Sequence, residues 1–287
     1  MEKAISQREK NRGRLCILCT ALLWGLAGVC VKSICWSSLS IMAARSFTSM
    51  ISMGIMRKSF RVHLTRKNVI CALLAASTSL LYMMGIKNTT AGTAIVLQYT
   101  APIIILLLNI LFFHKKPDVK EILIVAAVFA GCVLSFADDM GAGHLLGNIL
   151  SLASGVTYAL QIMMFSRDGV DADDSMMLSN MIGFAVGAPF LFFDKGMAQT
   201  TPTTVIWLVI MCLFQYSLAN ILYVRGCKTV SDIECSLLMT LEPIFNPIPV
   251  AIFCGETMGR KAIIGFVIVI GGIIVYTLTS KNRPPDK

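Results

Sequence analysis

The chain predicts an all-α integral membrane protein whose ten transmembrane helices form an inverted five-plus-five repeat. Three observations carry that reading. Hydrophobic residues fill 56% of the 287 positions and charged residues only 14%, with a mean hydropathy of +0.74. Soluble domains average about a quarter charged residues. The charges are also clustered, which leaves uncharged apolar runs close to the ~20 residues that a membrane-crossing helix needs. Finally, Leu81-Tyr82-x-x-Gly85-x-Lys87 returns as Leu222-Tyr223-x-x-Gly226-x-Lys228 at an offset of 141. The same offset maps Pro102 onto Pro243, Phe112 onto Phe253, Lys120 onto Lys261 and Gly131 onto Gly272. Constant spacing without a gap marks a duplicated unit.

The apolar runs fall at about 15–31, 38–56, 68–86, 91–113 and 119–136, then 145–165, 175–193, 203–223, 235–254 and 262–280. Span 1 follows a basic tail (1–14) and resembles a signal peptide. Its run of 17 residues exceeds the usual core of roughly 7–15, so it reads as a retained span. Span 2 is less apolar and holds Arg45; span 3 carries the first Leu-Tyr-Gly-Lys landmark, and span 4 holds Pro102. Span 5 closes a first repeat of 15–137. Span 6 opens the second repeat, 145–280. The acidic segment Asp168 to Asp174 reads as a solvated loop before span 7, which contains Gly183-x-x-x-Gly187, a spacing suited to close helix packing or a homodimer contact. Span 8 holds the second landmark, span 9 is rich in proline, and span 10 precedes a tail of 281–287. No run alternates as barrel strands do. Inside a bilayer every backbone group must be satisfied within the segment, and helices do that.

Lys and Arg set the orientation. With the N-terminus in the cytoplasm, 19 of them lie on that side and 5 on the other, which places both termini inside and describes a multi-pass protein of the cell membrane. Basic loops flanking a lipid bilayer also explain the net charge of +9, so no nucleic-acid partner is expected. Five spans per unit turn the two copies upside down relative to each other. Inverted repeats recur in secondary transporters. The ten cysteines lie mostly within apolar runs and do not form a disulfide framework.

Polar residues inside spans normally face a bundle interior or a wet cavity, and positions i, i+3, i+4 and i+7 share a helix face. Gln98, Pro102 and Asn109 form such a stripe in span 4, Asn148, Ser151, Tyr158 and Gln161 in span 6, and Gln215 beside Tyr216, Asn220 and Tyr223 in span 8. Each stripe alone could be helix-to-helix glue; together they point to a shared polar cavity. Arg45 is the one base deep in a span, at an insertion cost of roughly 2.5–3.5 kcal/mol. Either a protein partner or a visiting anionic group offsets that cost. Glu242 is the one carboxylate clearly inside a span, and it either binds a cationic group or cycles a proton. Around it, Pro243, Pro247 and Pro249 each remove a backbone donor, which should kink or unwind span 9 as Pro102 should kink span 4.

No HExxH, GxSxG or phosphate-loop pattern occurs, and the three histidines are scattered, so catalysis, a metal site and a bound cofactor are not expected. The competing classes are a non-transporting scaffold and a membrane-embedded lipid-modifying enzyme. The latter would need clustered catalytic groups at one membrane face.

Leu23-Trp24-Gly25, Ala44-Arg45-Ser46-Phe47, Thr100-Ala101-Pro102, and Leu241-Glu242-Pro243 followed by Phe253-Cys254-Gly255-Glu256 resemble the motifs of the drug/metabolite transporter superfamily, in its ten-helix branch with two EamA-type domains. The likeness runs from about Leu15 to Thr279. It departs at His114-Lys115, where the family's first half usually has Gly-Glu. The resemblance implies alternating access around a central cavity for a small-molecule substrate, a metabolite such as an amino acid or amine; export is favoured over import, and proton coupling and exchange both stay open. By that account Trp24, Arg45, Tyr82, Gln98, Tyr158, Gln161, Gln215 and Glu242 line the cavity, while Pro102, Pro243 and Pro247 serve as hinges.

Overall fold

A computed structural model describes residues 6–88, 91–113, 118–135, 145–165, 167, 169–245 and 260–279. His114, Lys115, His144, Pro247, Pro249, the Phe253 to Glu256 motif and the tail 281–287 lie outside them.

Each apolar run carries helix within the described residues. Span 1 is α1 (Gln7–Trp24) and α2 (Ala27–Ser33); spans 2 and 3 are α3 (Ser38–Arg57) and α4 (Arg66–Asn88). Span 4 is α5 (Ala91–Gln98) and α6 (Ala101–Phe113), and span 5 is α7 (Val119–Ser135). Spans 6 and 7 are α8 (Leu145–Phe165) and α9 (Ala172–Leu191). Span 8 joins α10 (Pro202–Ile210), a π-helical stretch (Met211–Leu218) and α11 (Ala219–Cys227). Span 9 is α12 (Asp232–Met239) and α13 (Leu241–Phe245), and span 10 is α14 (Arg260–Thr279).

The expected N-terminal tail is in large part helix. Ser6 caps α1 by accepting from the Glu9 N–H, while the Glu9 carboxylate accepts from the Ser6 N–H, a reciprocal box that satisfies two exposed donors. Asp171 caps α9 by accepting from the Asp173 and Asp174 N–H groups, and Ser231 caps α12 by accepting from the Glu234 N–H.

Packing repeats with the halves exchanged. α4 lies on α8 as α11 lies on α1; α4 lies on α9 as the π stretch lies on α3. α5 and α6 pack on α8 as α12 and α13 pack on α1, and the pairs α3 with α9 and α7 with α14 map onto themselves. The landmark glycines make this approach possible. A β-carbon on Gly85 would stand 2.3 Å from Ser151 of α8, and one on Gly226 2.4 Å from Ile17 of α1. Gly131 and Gly272 meet α14 and α7 just as closely, at 2.8 and 2.6 Å. Five helical spans per unit alternate in direction, so the copies are inverted.

Gly183 and Gly187 are used within the chain. β-Carbons there would approach Ser46 and the Leu39 carbonyl of α3 to 2.7 and 2.6 Å. Leu111, Phe112, Ile263 and Val267 point outward, as lipid-facing side chains do. The nine described cysteines are free thiols.

Candidate functional site

Four interrupted spans, the first, fourth, eighth and ninth, meet at one cavity. Pro102 has no N–H to give the Gln98 carbonyl, and α5 ends there, with Tyr99 and Thr100 between α5 and α6. Pro243 stands in the same register against Met239, and the chain breaks at Thr240. At the two breaks the Leu97 and Leu237 carbonyls each accept from both the N–H and the hydroxyl of one threonine, Thr100 (hydroxyl at 2.7 Å) and Thr240 (2.6 Å). Neighbouring helices close onto both breaks through glycine. A β-carbon on Gly155 would lie 2.8 Å from the Leu97 oxygen and 2.9 Å from the Gln98 oxygen; on Gly25, where span 1 breaks, it would lie 3.3 Å from the Glu242 backbone oxygen.

The breaks surround a cavity of about 130 Å³. α1 contributes Trp24, α3 Arg45, and α4 Thr78, Ser79 and Tyr82. Gln98 and Tyr99 enter from the interrupted fourth span, Tyr158 and Gln161 from α8, and Met176 and Ser179 from α9. Gln215, Tyr216 and Asn220 come from span 8 and Glu242 from α13. All eight residues expected to line a cavity therefore border this one. Of the expected hinges, Pro102 and Pro243 follow the two breaks.

The two charges sit in one cavity but do not pair with each other. Arg45 Nη2 donates to Ser79 Oγ at 2.6 Å and to Met83 Sδ at 3.4 Å, and the guanidinium lies 4.5 Å from the Tyr216 ring centroid. Glu242 Oε2 accepts from the Tyr99 hydroxyl at 2.5 Å. Trp24 Nε1, Arg45 Nε, Gln215 Oε1 and Asn220 Oδ1 are buried without a hydrogen-bond partner among the described residues. Such orphans are rare in folded proteins, and a polar guest in the cavity would satisfy them. Aromatic rings form one wall: Trp24 stands 5.2 Å from Tyr223, which stacks 6.4 Å from Tyr158, itself edge-on to Tyr99 at 6.5 Å.

Sequence reasoning did not select Tyr99 or Ser79, and it placed Tyr216 on the polar stripe of span 8 without counting it among the cavity-lining residues. Adjacent residues of a regular helix point in different directions, yet Gln98 with Tyr99 and Gln215 with Tyr216 share the cavity. The break before Pro102 accounts for the first pair and was a usable signal. The second pair lies on the π stretch, where Ser217 Oγ donates to the carbonyl five residues back, at 2.6 Å. π-Turns of this kind recur at functional sites, but Met211–Leu218 contains no glycine or proline to announce one.

Cross-half contacts clamp both ends of the bundle. Where α1 begins, Arg14 binds Glu234 at 2.5 Å, and Arg57 together with the His63 backbone and ring binds Asp174. Asp174 is completely buried, which departs from the solvated loop expected there. Burial pushes its carboxyl upward, but hydrogen bonds from the His63 backbone, Arg57 and the His63 ring outweigh that and hold it below the ordinary value. At the opposite end Asp194 accepts from the Ser37 and Gly196 N–H groups at 2.6 and 2.9 Å. Its burial likewise acts upward, and hydrogen bonds from Ser40, Ser37 and Gly196 bring it to about 2.

The inverted bundle around a polar, charged cavity is the architecture of a membrane transporter. The EamA-like transporter family matches the chain twice, over residues 11–137 and 145–278. The chain belongs to this family, within the drug/metabolite transporter superfamily, and is a multi-pass membrane transporter and not an enzyme. It is 20% identical to the inner membrane transporter YicL of Salmonella typhimurium, across 95% of this chain and 97% of that one. It is 25% identical to the threonine/homoserine exporter RhtA of the same species, across 72% and 69%. A transporter of Archaeoglobus fulgidus is 22% identical across 92% and 95%. A solved crystal structure shares the fold with a TM-score of 0.78, at 15% identity over 94% of this chain and 97% of that chain.

Proposed function

We propose that the chain is a secondary active exporter of a small zwitterionic metabolite, an amino acid or a close relative, working by alternating access with both termini in the cytoplasm. One observation carries the reading: opposite charges from the two halves, Arg45 on α3 and Glu242 on α13, face one cavity without neutralising each other. A carboxylate suits the planar guanidinium, which offers several donors in a fixed fork. An ammonium group suits Glu242, and the orphaned polar atoms around the cavity supply the rest of the cradle. The volume of about 130 Å³ is well below the roughly 300–1,000 Å³ of sites for drug-sized ligands and favours a compact substrate. Similarity to an exporter of threonine and homoserine supports both the class and the direction.

In this reading the symmetric scaffold rocks about the fixed cavity, and Glu242 exchanges a proton for the substrate ammonium, which couples export to proton entry. The screen that tests it is a thermal-shift panel of metabolites on purified protein, because a ligand that binds the folded state raises its apparent stability. Amino acids should raise the melting temperature of the wild type and leave Arg45→Gln unmoved. Stabilisation by neutral or purely anionic metabolites alone would reject the zwitterion.

A further inference from the structure

A second cavity, of about 90 Å³, lies between α4 and α9 with α3 behind it. It is not an isolated dimple, because Ser79, Ser179 and Tyr216 line both it and the central cavity. Its outer lip is formed by Leu73 and Val186, which are exposed at 50% and 41% on the lipid-facing surface. Leu80 and Ile182 line it as well, with Ser79 and Ser179 on the side it shares with the central cavity. The crevice is apolar where it is most exposed and carries hydroxyls where it adjoins the central cavity. The close approach of Gly183 to Ser46 sets the floor of the crevice. The partition between the two spaces is made by the contacts of Arg45 itself, its hydrogen bond to Ser79 and its stacking on Tyr216. A guest carboxylate that draws the guanidinium toward the centre releases both partition residues.

We propose that this crevice is a side-chain subsite of the central cavity, so that the substrate is an amphipathic zwitterion with its charged head at Arg45 and Glu242 and its apolar side chain between α4 and α9. The inference rests on the zwitterion reading and adds the class of side chain. Neither space alone is large, but their shared wall lets one molecule occupy both. The apolar lip matches an alkyl chain.

The test uses the full chain in lipid nanodiscs and titration calorimetry with alanine, norvaline, norleucine and 2-aminooctanoate. In the wild type, affinity should rise roughly two- to fourfold per added methylene, the ratio expected for burying one such group. Ala76→Leu and Ile182→Trp fill the crevice, and each should flatten that series, with a monodisperse gel-filtration peak as the check on folding. An unchanged chain-length gain in both variants overturns the subsite and gives the crevice to bilayer acyl chains. Failure of every member of the series to bind the wild type overturns the zwitterion reading and the subsite with it.

Discussion

Tyr99 donates its hydroxyl hydrogen to Glu242 across 2.5 Å, and the contact joins the broken helix of the first half to that of the second. Both residues sit within a few positions of the matched prolines Pro102 and Pro243, at the point where the repeat becomes functional asymmetry. Removing the donor should therefore matter more than its small size implies. Hydrogen bonds to charged groups contribute about 1.5–3 kcal/mol. Tyr99→Phe should lower amino-acid flux in proteoliposomes by roughly tenfold or more while the protein still folds.

Gly155 sets the depth of the first-half break. A β-carbon there would meet the Leu97 and Gln98 oxygens at 2.8 and 2.9 Å. Overpacking of this kind costs about 1–3 kcal/mol, or shifts the backbone to relieve it. Gly155→Val should weaken substrate binding by displacing Gln98, read as a higher half-saturation concentration for transport. A milder effect is expected for Gly25→Ala, whose β-carbon would stand 3.3 Å from the Glu242 backbone oxygen.

The Arg57–Asp174 pair joins α3 to α9 with the carboxylate buried. Breaking one side of a buried pair is strongly destabilising, by about 3–5 kcal/mol, because the remaining charge has no partner. Asp174→Leu should therefore leave Arg57 uncompensated and lower the melting temperature clearly. Substituting both residues, Arg57→Met with Asp174→Leu, should recover much of the loss.

Acid stability provides a further check through Asp194. Its folded value of about 2 lies below the ordinary ~3.9 of an aspartate, so its contribution is complete above the ordinary value and disappears as pH falls through the folded one. Melting curves of the wild type should weaken between roughly pH 4 and pH 2. Asp194→Asn should start from a lower melting temperature and change less over that window.

The fold was legible because bilayer physics leaves few alternatives: long apolar runs and a constant repeat offset each left a plain mark. The cavity was legible for a related reason. Arg45, Gln161, Gln215 and Glu242 are expensive inside hydrocarbon, so their presence in apolar runs already signals a protected interior. Tyr99 and Ser79 were harder to find, since a tyrosine or serine in a membrane helix is unexceptional and the direction of Tyr99 depends on a local break. The burial of Asp174 was invisible because it needs Arg57 and His63, more than a hundred positions away. Likewise, the helical start of α1 was marked by Ser6 and Glu9, but the basic residues around them read as a tail.

The most direct measurement is flux of radiolabelled amino acids out of proteoliposomes containing the wild type, Arg45→Gln or Glu242→Gln. Saturable flux in the wild type that both substitutions abolish, with each variant still folded, is the expected result. Flux that survives Arg45→Gln undiminished would contradict a cavity that holds its substrate between these two charges.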